Sequence, residues 1–322
     1  MKKIERKIIF ECRVGSHLYG TNRPDSDEDF LGVFLPSTED MLSLGNPPSE
    51  WTMNSKQSDG PRNTKGDVDR KYFSLQKFLN LLGQGQSGPI ELWFAPDEMK
   101  NVVTPEWELI LKNKQIFLSA SSVLPFIGFA QAQAHKAVLK GENLSLIRRL
   151  IEKIPESDRH KPLNNYLMER LDNGKILAFG ETLDFETGED GIGQLKIAGR
   201  RYQVTSTLGM LLKGLKELER KYGTRSEAAA ANKYDFKSLS HAYRLLGEAR
   251  ELLQTGAISF PVKNAEFLKE IKEGKYIADF FKEIEDSLTE LRRIKTLLPP
   301  SVNWGKINSL CQEMLYKHLF EE

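Results

Sequence analysis

The sequence predicts an α+β fold, with a small mixed sheet in residues 1–110 and a mostly helical region in residues 111–322 that carries one small hairpin. Three observations predict it. Short runs rich in β-branched and aromatic residues, bounded by turn residues, fill the first third. From about residue 105 the apolar positions recur at helical spacing instead. That pattern breaks once, at GQLKIAGRRYQV, which reads as a hairpin turning at Ala198-Gly199.

Taken in order, residues 8–14 form a buried strand stopped by Gly15, and Asp29–Leu35 a second strand after the turn-rich GTNRPDSDE. Residues 36–66, dense in Pro, Gly, Ser and Asn, read as loop, and Val68–Phe73 as a third strand. Ser74 caps a helix whose apolar face is Leu75, Phe78, Leu79 and Leu82, ending at Gly83. Pro89 opens a short helix, where its missing N–H costs nothing. Later helices are expected over about 206–222, 235–254, 264–273, 276–297 and 304–319. Gly223, Gly256, Gly274 and Pro299-Pro300 supply the stops, and Asn264 and Asn303 the N-caps.

The chain of 322 residues suffices for about two domains. With 39% apolar and 28% charged residues it has an ordinary globular composition. Its 46 basic and 45 acidic residues nearly cancel, which excludes a chain-wide basic footprint but allows a local basic groove. Cys12 and Cys311 stand too far apart for a disulfide framework or a zinc spacing, which suits a reducing cytoplasm. The basic-then-apolar N-terminus superficially suggests a signal peptide. Its apolar run is only Ile8-Ile9-Phe10, cut by Glu11 and Arg13, so neither a signal peptide nor a membrane span is expected.

The chemistry concentrates in Gly15-Ser16 and Asp27-Glu28-Asp29. Asp27 and Asp29, two apart at the start of a strand, project to the same side and can bridge a pair of metal ions, whereas Glu28 points away. Mg²⁺ takes hard oxygen ligands and usually one or two carboxylates, with phosphate and water completing its shell. A third carboxylate must come from a neighbouring strand: Asp69, or its rival Asp67 on the same face. Glycine at a strand end lets the backbone approach a phosphate, and Ser16 adds a hydroxyl donor. The bland alternative is an Asp-x-Asp in a solvated turn.

At these residues the chain resembles the DNA polymerase β-like nucleotidyltransferase superfamily. The fuller string GSHLYGTNRPDSDEDFLGVF is similar to a bacterial and phage branch of predicted nucleotidyltransferases in RNA-repair pathways. Tyr19-Gly20, Ser26 and Lys77-Phe78-Leu79 also match, as do Phe129-Ala130 with Gln133, the run Tyr234–Leu246, and Ile271-Lys272-x-Gly274. QGQSGPIELWF departs from the pattern, lacking an expected Asn-Pro after the Gly, which leaves Gln86-Ser87 without an inherited role. The resemblance implies Mg²⁺-dependent (or Mn²⁺-dependent) transfer of a nucleoside monophosphate from an NTP, such as ATP, to a hydroxyl. It assigns Asp27 and Asp29 to both metals, Asp69 to the acceptor-side metal and acceptor deprotonation, and Gly15-Ser16 to the triphosphate.

Lys237, His241 and Arg244 stand at i, i+4 and i+7, one stripe of a predicted helix. On spacing alone this reads as a solvated face with Arg244 salt-bridged to an acid. With the resemblance, the three become nucleotide- or RNA-contacting residues on the opposite wall of a cleft closed by the helical region, with Arg225 as a weaker companion. His17 reads as structural or solvent-facing, Arg148-Arg149 and Arg200-Arg201 as surface, and Phe73, Phe78, Trp93, Phe94 and Trp304 as packing. The acceptor expected first is an RNA end, from a tRNA or a broken strand. The rivals are AMP transfer to a protein hydroxyl, as in an antitoxin acting on a toxin, and a non-catalytic nucleotide- or RNA-binding module.

Overall fold

The computed structural model describes residues 6–24, 26–55, 68–232, 235–276 and 279–320. Strand β1 (Lys7–Val14) buries Ile9, Phe10 and Cys12 completely, as its β-branched and aromatic run requires. A single helical turn, α1 (Ser16–Tyr19), connects it towards β2 (Glu28–Leu35). Next come α2 (Thr38–Leu42), β3 (Glu50–Ser55), β4 (Val68–Ser74), α3 (Leu75–Gly83), α4 (Ser87–Phe94), β5 (Lys100–Val103) and α5 (Pro105–Lys112). The strands form one sheet in the order β3-β4-β2-β1-β5. Only β2 and β4 run parallel, so the sheet is mixed, as expected.

The hydroxyl of Ser74 accepts a hydrogen bond from the Lys77 N–H at 3.3 Å, capping α3, which buries Leu75, Phe78, Leu79 and Leu82. Phe10 stacks on Trp107 of α5 with ring centroids 3.8 Å apart, and Phe78 leans on the same indole. Trp93 meets Phe117 edge-on, so Phe73, Phe78 and Trp93 are core side chains.

Two features of residues 36–55 differ from the loop expectation. Ser37 and Asp40 form a reciprocal capping box that starts α2, and Arg6 pairs with Asp40 at 2.9 Å. Glu50–Ser55 adds the edge strand β3, with Trp51 against Tyr72. Residues 56–67 lie outside the described residues.

The rest of the chain comprises α6 (Leu124–Lys153), β6 (Leu167–Leu171), β7 (Lys175–Ala178), β8 (Glu181–Thr187), β9 (Gly193–Ile197) and β10 (Arg200–Gln203). After them come α7 (Leu208–Asn232), α8 (Phe236–Thr255), α9 (Ala265–Lys272), α10 (Phe280–Leu291) and α11 (Trp304–Phe320). The expected hairpin is β9–β10, turning at Ala198 and Gly199, both at positive φ. It is the last part of an antiparallel five-stranded meander, so this region holds a whole sheet. Helix α7 runs through Gly223, where a stop was expected. A helix-interior glycine costs only about 1 kcal/mol, and the Ala228–Ala231 run beyond it favours helix.

By contact density the chain divides into two compact units: residues 1–132 with 240–322, and residues 133–239. The last 83 residues thus join the first sheet's unit, whereas the sequence suggested a boundary near residue 110. In the second unit, Ile147 and Leu150 of α6, Ile176, Leu183 and Leu195 of the meander, and Leu211 and Leu215 of α7 share one core.

Candidate active site

Gly15 ends β1 with φ 68°, a left-handed conformation that side chains disfavour. A Cβ built there would lie 3.0 Å from Asp29 Oδ2. Gly15 is therefore the position where the chain makes room for a carboxylate. The turn is then closed by its own backbone: the Tyr19 N–H donates to Gly15 O at 3.1 Å and the Thr21 N–H to Ser16 O at 2.9 Å. Gly20, at φ 72°, ends α1, and its missing side chain leaves room for Pro261, which a Cβ would meet at 2.6 Å.

The segment after the turn is held from the C-terminal side of the same unit. The Val262 N–H donates to Tyr19 O at 3.3 Å, and Lys272 Nζ donates to Thr21 Oγ1 at 2.9 Å. Arg23 pairs with Glu273 at 2.9 Å.

Parallel pairing sets the carboxylates. Asp29 of β2 stands in register with Asp69 of β4, and Val14 is opposite Asp29 on the other side. In-register neighbours share a face, so these two carboxylates lie side by side on adjacent strands. Both residues are half-buried, and Asp69 Oδ1 is closed off from solvent. Asp27 precedes β2 and is exposed. Glu28 projects to the other face, where it pairs with Arg13 at 3.1 Å, as the alternation predicts. Asp67 lies outside the described residues.

That other face carries a polar layer of its own. Buried Glu11 accepts from the Tyr72 hydroxyl and from Asn101 Nδ2 at 2.9 Å, and Arg70 Nε lies 3.4 Å from it. Burial and the Glu11 carboxylate push the Tyr72 phenol up, keeping it a donor. Arg70 also lies over the Phe30 ring at 4.5 Å. Residues flanking Asp69 and Asp29 are thereby anchored from behind.

Among the described residues, no three His, Cys, Asp or Glu side chains converge into a ready-made metal cage. Mg²⁺ does not require one, because one or two carboxylates with substrate phosphates suffice. The donors here are carboxylate oxygens, and the glycine cradle keeps Asp29 accessible at the turn. The residues present fit such an ion.

The basic stripe does not survive as a single wall. Lys237 is exposed and His241 half-buried, but Arg244 is only 5% exposed and faces the core. Its guanidinium donates to Glu91 Oε1 at 2.7 Å and Glu248 Oε1 at 2.6 Å, and lies 3.9 Å from the Tyr19 ring centroid. The Tyr19 hydroxyl donates to Glu91 Oε2 at 2.6 Å. A buried guanidinium needs carboxylates more than it needs an incoming phosphate, so Arg244 is committed to this cluster. Sequence reasoning missed Glu91 and Glu248. The available signals were a glutamate inside the apolar Pro89–Phe94 run and another one helical turn after Arg244.

Arg148 and Arg149 pair with Glu219 and Glu181, and Arg200 and Arg201 with Glu217 and Glu186, in agreement with surface roles. The side chain of Arg225 lies outside the described residues. His17 is half-buried, and its Nε2 has no hydrogen-bond partner among the described residues. Trp304 packs at the start of α11, its ring covering Gly83 of α3. No helix among the described residues is long and apolar enough to cross a membrane.

Over 302 residues, covering 88% of each chain, the protein is 28% identical to an uncharacterized 38.9 kDa protein from the nrdC–mobD intergenic region of Enterobacteria phage T4. No solved structure matches the chain. Residues 1–151, which contain the Gly15 turn, both strands of the carboxylate pair and Glu91, match a family model. That model describes the RNA repair pathway DNA polymerase beta family, to which residues 1–151 are similar.

Proposed function

We propose that the protein is a Mg²⁺-dependent nucleotidyltransferase that moves a nucleoside monophosphate from an NTP to a hydroxyl at an RNA end. The observation that carries this reading is the register of Asp29 beside Asp69, with Asp29 Oδ2 against the Gly15 turn. Asp27, Asp29 and Asp69 would hold the metal, which when bound stabilises negative charge on the attacking and leaving oxygens. The N–H groups and hydroxyl at Gly15-Ser16 would bind the triphosphate. The acceptor hydroxyl forms a new O–P bond at the α-phosphorus as the bond to pyrophosphate breaks, and Asp69 takes the acceptor's proton. Gly15, Ser16, Asp27, Asp29 and Asp69 all lie in the first unit. The family's description supports RNA as the acceptor.

The test is a survey of all four labelled NTPs with Mg²⁺ or Mn²⁺ against total RNA and total protein. Label should enter RNA with the wild type and not with the Asp27→Asn/Asp29→Asn variant. Equal labelling by both would end the proposal. Label confined to a protease-sensitive band would move the acceptor from RNA to protein.

A further inference from the structure

The buried cluster around Arg244 is the most heavily charged enclosed feature described, and the proposed transfer uses none of it. It joins three elements of one unit: Tyr19 from α1, Glu91 from α4, and Arg244 with Glu248 from α8. Glu91, Arg244 and Glu248 are each at most 5% exposed. Tyr19 is the last residue of the turn that starts at Gly15, and its N–H closes that turn on Gly15 O. Whatever fixes the Tyr19 ring therefore fixes the turn.

We propose that Glu91, Arg244 and Glu248 form a proton-dependent clamp that holds Tyr19, and through it the Gly15–Ser16 turn, in the conformation that receives the triphosphate. The clamp rests on the reading of that turn as the triphosphate site. These are positioning residues that act through Tyr19.

The charge count explains the proton dependence. One guanidinium faces two carboxylates, so a single shared proton makes the cluster neutral, and its loss leaves an uncompensated charge in an enclosed place. Burial, reinforced by the Glu91 carboxylate and opposed by Arg244, pushes the Glu248 carboxyl up to about 8. Three groups act on Glu248: Arg244 on its own helix, which donates to it, Glu91 from α4 and, through its charge, Tyr19 from α1. Beside it lies a cavity of about 240 Å³, which Glu248 lines with Arg244, Arg250, Glu251 and Lys263. Once ionised, Glu248 can turn towards water there, removing a partner from Arg244 and loosening the guanidinium from the Tyr19 ring.

Two readouts test the clamp. In hydrogen–deuterium exchange, corrected for intrinsic rates, wild-type amides of residues 16–21 should lose roughly tenfold protection between pH 7 and pH 9. Glu248→Gln, which mimics the protonated carboxyl, should hold protection constant across that range. In kinetics, Tyr19→Leu should raise KM for NTP roughly tenfold with kcat changed less than about threefold. Tyr19→Phe, which keeps the ring under Arg244, should recover most of that loss. Equal pH-dependent loss of protection in wild type and Glu248→Gln would overturn the clamp. So would an unchanged KM in a folded Tyr19→Leu variant. If the wild type transfers no nucleotide, the functional reading fails, and the exchange experiment still decides the clamp.

Discussion

Two groups of carboxylates in the same unit differ in every physical respect. Asp29 and Asp69 stand side by side at the starts of β2 and β4, half-buried, with Asp29 against the Gly15 turn and exposed Asp27 just before β2. Glu91 and Glu248 are buried around one arginine and one tyrosine hydroxyl, with Glu248 at the wall of a cavity. The first arrangement leaves its carboxylates at a partly exposed edge, the setting a divalent ion with hard oxygen ligands needs. The second spends its charge internally, and no ligand is needed to balance it. Placement relative to solvent, more than residue type, separates a candidate metal ligand from a structural carboxylate.

The largest predicted effect breaks the first group. Asp29→Asn and Asp69→Asn should each lower transfer by about 10³-fold, about 4 kcal/mol of barrier, while melting close to wild type. Rates and thermal unfolding together check this. A similar loss of melting temperature in both would make the pair structural and erase the contrast. Breaking the second group should show the opposite signature. Arg244→Met leaves two carboxylates buried without a cation and should cost about 3–5 kcal/mol in denaturant unfolding.

Gly15→Ala links the two groups. Left-handed backbone costs a non-glycine residue about 1–2 kcal/mol, and the new Cβ would press on Asp29 Oδ2 at 3.0 Å. Stability should fall by that amount, and transfer by more than stability alone explains.

A pH series sharpens the comparison further. Glu248 has a folded-state pKa of about 8, raised from 4.5. The stability it contributes is complete below about 4.5 and is lost as pH rises to about 8, because the folded state binds the extra proton. Glu248→Gln should lack that slope, measured by chemical denaturation across the window. The smallest effect belongs to the surface: Arg149→Ala, removing an exposed pair to Glu181, should change stability by less than about 1 kcal/mol.

Much of the carboxylate site was legible in the sequence because its logic is local. A strand's alternation turns Glu28 away from Asp29 and towards Arg13, and Ser74 caps its helix without tertiary help. Pairing register is not local. Nothing in Val68-Asp69-Arg70 says that β4 lies parallel to β2 with Asp69 level with Asp29. The burial of Arg244 was hidden for a related reason. Helical spacing aligns Lys237, His241 and Arg244, but the depth of each residue depends on what packs beside α8, and Glu91 comes from 153 residues away. The meander β6–β8 escaped notice because its outer positions are exposed and charged, as in Met168-Glu169-Arg170, which blurs the alternation. The edge strands β3 and β5 are short and half-exposed, and only their neighbours make them strands.

The central claim is that the Asp29–Asp69 pair carries nucleotidyl transfer, and pyrophosphate release tests it most directly. With NTP, Mg²⁺ and RNA, the wild type should release one pyrophosphate for each nucleoside monophosphate entering RNA, and Asp29→Asn should release almost none. Equal pyrophosphate release by wild type and Asp29→Asn would contradict the account.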